Sequence, residues 1–145
     1  MGTKTDNATT LFASGFACSQ AILAAFCEQY GLDRETALKL ACGLGGGVKC
    51  AEVCGAVSGA VLVVGLKYGQ VDVLDKEARR VCSMKTAEFL SAFKARNSHL
   101  TCRDLLGCDI STVEGRAKAV EEGLFTTRCV ALVTDAAGIL EDMGY

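Results

Sequence analysis

Nine cysteines stand in 145 residues, at positions 18, 27, 42, 50, 54, 82, 102, 108 and 129, so thiol chemistry is the first chemistry the chain offers. The odd number forbids complete internal pairing, and the density is below that of a disulfide-stapled mini-protein; static staples are not the expected use. A thiolate binds soft metals and attacks disulfides, whereas a buried thiol fills space like any small hydrophobe. Position decides between these uses. Cys50 and Cys54 lie four apart directly after Gly45-Gly46-Gly47. On a helix that spacing stacks both sulfurs on one face, where they could share a metal centre. Cys102 opens a short helix behind Thr101, where free backbone N–H groups and Arg103 favour an anionic sulfur. It is the best single candidate for a reactive thiol, and Cys108 follows close behind it. Cys18 and Cys129 fall on the inward stripes of long helices, so periodicity alone assigns them to the core. Cys27, Cys42 and Cys82 lie on apolar faces and read as packing.

Other reactive signals are weaker. The glycine run before a helix could cradle an anion, but no Gly-Lys-Ser or Gly-Lys-Thr follows, so no nucleotide site is expected and the glycines read as a tight turn. His99, the only histidine, lies in the polar run Asn97-Ser98-His99 and reads as a surface loop residue, with a proton relay to Cys102 as its functional alternative. Glu52 is expected to reach solvent or a cation. Fifteen Lys and Arg against 17 Asp and Glu leave a net charge of −2 with no basic block, which gives a nucleic acid nothing to bind. The N-terminal residues carry neither an apolar export segment nor a lipidation pattern, so a cytoplasmic location without a membrane anchor is expected.

The elements that must position these thiols are helices. The chain contains no proline, half its residues are hydrophobic, and its apolar residues recur at helical spacing. An all-α fold follows, a single compact bundle of about five helices in one domain over residues 1–145. The first helix is expected over about Asp6 to Tyr30, ended by Gly31, and Asp33 caps a short second helix that breaks at Gly43–Gly47. A central helix starts near Lys49 or Cys50 and runs to Gly65 or beyond. It is rich in Gly, Ala and Val and apolar nearly all round, which marks it as buried. Its apolar run from Ala56 to Leu66 is too short to cross a bilayer. Gly55 and Gly59, four apart, let a neighbouring helix or a cofactor approach its backbone. A long helix is expected from about Asp75 to Ala95, a short one over Cys102–Leu106 stopped by Gly107, and a last one capped by Thr126 or Thr127 with Cys129 and Leu132 on its stripe. The apolar central helix is also compatible with a homodimer.

The run Gly45-Gly46-Gly47-Val48-Lys49-Cys50-Ala51-Glu52-Val53-Cys54-Gly55-Ala56-Val57-Ser58-Gly59-Ala60 resembles the signature of the redox-active C_GCAxxG_C_C proteins of bacteria and archaea. The resemblance extends over nearly the whole chain. The upstream cysteine of that pattern matches Cys18, the core matches Cys54 to Gly59, and the two downstream cysteines match Cys102 and Cys129. The resemblance therefore implies a helical fold, a redox role and a site made of those four thiols, with Cys50 and Cys108 as secondary candidates. The same domain is similar to part of the split-Soret cytochromes, which carry haem and a non-haem iron site. No Cys-x-x-Cys-His run exists here, so no haem is expected.

Three functions follow as expectations. The first is that Cys18, Cys54, Cys102 and Cys129 hold an iron–sulfur cluster for electron transfer with a redox partner protein; four soft thiolates suit that group or structural zinc far better than hard cations. The second is a dithiol and disulfide cycle in which Cys102 attacks and Cys54, Cys108 or Cys129 resolves. The third is a non-catalytic helical domain whose thiols are packing.

Overall fold

The computed structural model describes residues 3–145 and is all-α. Among the described residues there are eight α-helices and a single isolated antiparallel bridge, Val53 to Thr101. The helices are α1 (Lys4–Ala13), α2 (Cys18–Phe26), α3 (Arg34–Ala41), α4 (Gly55–Tyr68), α5 (Lys76–Asn97), α6 (Cys102–Leu106), α7 (Val113–Glu121) and α8 (Arg128–Asp142). The count exceeds the expected five for local reasons.

The expected first helix is broken in two. Gly15 takes φ +117°, Ala17 is extended, and the Gln20 side chain accepts the Ala17 N–H at 2.9 Å. A new helix therefore starts at Cys18, and periodicity was blind to it because the apolar stripe runs on across the break. The third helix begins as expected, with the Asp33 carboxylate accepting from the Thr36 N–H. The central helix starts later than expected. Gly46, Gly47, Val48 and Lys49 are all left-handed, with φ of 67°, 64°, 57° and 61°, so Cys50 cannot belong to a right-handed helix with Cys54. Helix α7 was not foreseen; it is capped by Thr112, whose hydroxyl accepts the Gly115 N–H at 2.9 Å.

The core is built on α4. Its buried residues include Ala56, Val57, Ala60, Val63 and Val64, and α2 supplies Ile22, Leu23 and Phe26. Phe89 and Phe93 of α5, stacked with ring centroids 6.2 Å apart, and the Leu132, Val133, Ala136 and Leu140 stripe of α8 complete it. Small residues set the closest approach. A Cβ at Gly59 would stand 2.8 Å from the carbonyl oxygen of Ser19, and one at Gly55 would collide with the sulfur of Cys18. The glycine face thus takes a neighbouring helix, α2. Ser19 is fully buried, and its hydroxyl donates to the Ala41 carbonyl at 2.7 Å, tying the end of α3 to the same seam.

A smaller cluster of Ala51, Cys102 and Leu106, with Cys108, Ile110, Leu124 and Cys129 packed on it, lies beside the main core. No helix among the described residues is long and apolar enough to cross a membrane.

The seam gives a direct test. Gly59→Ala should lower stability by about 1–3 kcal/mol in denaturant titrations, because the added methyl meets backbone atoms of α2. Gly65→Ala, on the same helix with nothing near its Cβ position, should instead be neutral or stabilising by up to about 1 kcal/mol through helix propensity. Equal effects at both positions would contradict the close approach.

Candidate functional site

Four helices begin with the four cysteines that match the resemblance. Cys18 is the first residue of α2, Cys54 is the N-cap of α4, Cys102 is the first residue of α6 and Cys129 is the second residue of α8. A helix start carries unpaired N–H groups and the positive end of the backbone dipole, both of which favour a negatively charged sulfur. The long apolar stripe hid this for Cys18, which periodicity places inside the expected first helix.

Two strand-like segments lock α4 and α6 together. The Cys54 N–H donates to the Leu100 carbonyl at 2.8 Å, and the Cys102 N–H donates to the Glu52 carbonyl at 2.6 Å. Side chains alternate along such a ladder, so Cys54 and Cys102 share one face. The Arg103 guanidinium donates to the Glu52 carboxylate at 2.6 Å across the outside of the same bridge. Glu52 thus meets a cation, as expected, but from an extended segment and not from within a helix.

All four cysteines line one cavity of about 350 Å³. Cys54 and Cys102 are buried, while Cys18 and Cys129 are half-buried. The Cys18 sulfur lies against Gly55, next to Cys54 in the chain, and the neighbouring Cys54 thiol lowers the Cys18 pKa to about 6 against the opposing effect of burial. Backbone N–H groups of Gly46 and Ser19 contribute in the same direction. The Cys54 pKa is driven well above the ordinary value, first by the Cys18 sulfur and then by burial. The two shifts have opposite directions, so of this pair Cys18 is the thiol that ionises first.

Cys102 departs from expectation. Burial first, then the charges of Cys18, Cys108 and Asp109, push its pKa up to about 11. Arg103, counted on to stabilise its thiolate, points outward to Glu52, and the five-residue α6 does not outweigh desolvation. Cys129 is pushed up to about 12, by burial first and then by Cys18 and Cys102, with Arg128 opposing. The preformed thiolate is therefore Cys18.

The remaining thiols sort as follows. Cys108 packs beside Cys102 and Cys129 without lining the cavity. Cys50 is exposed, its thiol donating to the Gly47 carbonyl at 3.3 Å, and it does not share a face with Cys54. Cys27 is buried as expected, and Cys82 packs on the main core, but Cys42 is exposed. His99 is exposed and lies outside the cavity. Among the described residues no three Cys, His, Asp or Glu side chains meet closely enough to hold a single metal ion.

Two cavity residues were missed by the sequence reading. Lys49 and Arg116 both line it, and Arg116 lies over the Phe125 ring at 5.3 Å from the centroid. Lys49 was expected only as a start of the central helix, and it lies instead in the left-handed turn. Arg116 lies on α7, whose one early signal was Thr112 as a helix cap.

The sequence model of the family described as "Putative redox-active protein (C_GCAxxG_C_C)" matches residues 16–143. No curated protein and no solved structure matches the chain.

The lowered Cys18 pKa has a measurable signature. In chelator-treated protein, iodoacetamide labelling of Cys18 should rise with pH with an inflection near 6, because a lowered pKa leaves the thiolate present above that value. Cys102 and Cys129 should resist at pH 7. Cys54→Ala should move the Cys18 inflection upward by removing the largest cause of the shift. A wild-type inflection at the ordinary thiol value of 9.0 would contradict the geometry.

Proposed function

The chain belongs to the C_GCAxxG_C_C family, and from that premise we propose that it is an electron-transfer protein whose Cys18, Cys54, Cys102 and Cys129 hold an iron–sulfur cluster. The observation that carries the reading is the convergence of four thiols from four helix starts on one cavity. Soft sulfur donors with no histidine or carboxylate among the lining residues fit that group. Among the described residues no three donors meet closely enough to hold a single ion, which disfavours a closed structural zinc site. The bound group would supply one-electron chemistry.

The chain's own residues do the rest. Cys18 offers a thiolate in advance, and the α2, α4 and α8 N-termini offset the negative charge that accumulates when four thiolates converge. Cys54, Cys102 and Cys129 hold protons at neutral pH and must give them up on ligation. The walls of Phe12, Leu106, Ile110 and Leu132 limit water around the sulfurs, which strengthens every charge interaction there.

The closeness of Cys18 and Cys54 favours a second reading, a dithiol carrier. The Cys18 thiolate would attack a substrate disulfide, releasing one substrate thiolate and forming a mixed disulfide. Cys54 would then displace the second, leaving a Cys18–Cys54 disulfide, with two electrons passed to the substrate. This replaces Cys102 as the attacking group, because Cys102 is held protonated by burial.

Anaerobic reconstitution with iron and sulfide decides between the two. The cluster reading predicts visible charge-transfer absorption, bound iron and acid-labile sulfide, release of protons from the ligating thiols as well as from the sulfide taken up, and loss of these in Cys102→Ser or Cys129→Ser. Colourless, iron-free protein overturns it, and a reversible Cys18–Cys54 disulfide found by mass mapping in that same protein supports the carrier.

A further inference from the structure

The thiol cavity carries a second chemistry that electron transfer does not use. Lys49 and Arg116 line it, no carboxylate does, and neither cation takes part in an ion pair among the described residues. Both cations are exposed whereas Cys54 and Cys102 are buried, so the cations stand on the solvent side of the space. Asp109, whose charge reaches Cys102, is turned into its own loop, where it accepts from the Ser111 N–H and hydroxyl. Lys49 is held at the cavity at a cost. It lies within a left-handed run with Val48, a conformation unfavourable for a non-glycine residue, and its ammonium folds back to 3.6 Å from where a Cβ on Gly45 would stand. The Arg116 guanidinium is oriented by the Phe125 ring, itself a wall of the cavity. Phe12, Ile110 and Leu132 make the rest of the lining apolar, and the volume of about 350 Å³ is that of a small-molecule site.

We propose that the mouth of this cavity binds a small organic anion, a carboxylate or oxyanion on a compact apolar body, between Lys49 and Arg116. The binding stands on the cations and the cavity; that the anion is the centre's redox substrate rests on the electron-transfer reading.

The test uses an isosteric pair of alkylating agents on the chelator-treated full chain: anionic iodoacetate and neutral iodoacetamide. Each forms a bond from the Cys18 sulfur to its methylene carbon and expels iodide, and both meet the same thiolate, so the rate ratio reports only the charge preference of the mouth. Exposed Cys42, outside the cavity, is the internal reference. At low salt the iodoacetate-to-iodoacetamide ratio at Cys18 should exceed that at Cys42 by about threefold or more. The preference should fade in about 0.5 M salt and in Lys49→Gln with Arg116→Gln, and survive in Arg116→Lys. A Cys18 ratio at or below that of Cys42, a ratio indifferent to the two substitutions, or a Cys18 that neither reagent reaches overturns the proposal. Because no cluster is needed, a charge preference in protein that takes up no iron keeps the anion site and removes only the electron-transfer reading.

Discussion

At Gly55 the α4 backbone has no side chain, and the sulfur of Cys18 occupies the space a Cβ would fill. One turn further on, Gly59 lets the α2 backbone at Ser19 come equally close. This seam brings two helix starts together, and the rest of the site depends on it. With α2 a few tenths of an ångström further away, Cys18 would draw back from Cys54 and its thiolate would lose its main support. The buried Ser19 hydroxyl bond to Ala41 fixes the same seam from the α3 side, so the position of Cys18 is set by packing and by polar bonding together.

The second constraint is the left-handed run from Gly46 to Lys49, followed by Ala51 at φ 57°. Three non-glycine residues in that region cost a few kcal/mol in sum. The run turns the chain sharply enough that Glu52 to Cys54 leave it extended, pair with Leu100 to Cys102, and deliver Cys54 to the start of α4. The same turn lays Lys49 over Gly45. A regular helix beginning at Lys49 would have been locally cheaper, but it would have carried Cys54 into the helix interior and left Cys102 without its bridge.

The fold class was legible because helical periodicity is written in the apolar residues, and the bounds of α3 and α6 followed from Asp33, Thr101 and Gly107. The breaks were less legible. Gly15 interrupts an apolar stripe that continues on both sides, and nothing in composition signals that Val48 would tolerate a left-handed backbone. The four site cysteines were selected by resemblance; the caps Thr101 and Thr127 already put Cys102 and Cys129 near helix starts, but the helix starts at Cys18 and Cys54, and the meeting of all four at one cavity, emerged only in the fold. Reactivity was misassigned to Cys102 because a helix start and a neighbouring arginine were weighed without burial. In the folded chain desolvation dominates at Cys102, while at Cys18 the neighbouring Cys54 thiol at the start of another helix outweighs it. Lys49 and Arg116 belong to the site only through the left-handed turn and α7, neither of which has a strong sequence signal.

The central claim is geometric: Cys18, Cys54, Cys102 and Cys129 border one cavity, with Cys18 beside Cys54. Long-wavelength anomalous diffraction from a crystal of the protein locates sulfur atoms directly. The account predicts four anomalous peaks around a single space beneath the starts of α2, α4, α6 and α8, those of Cys18 and Cys54 side by side. Peaks for these four residues separated by aliphatic side chains, with Cys18 away from Cys54, would contradict it.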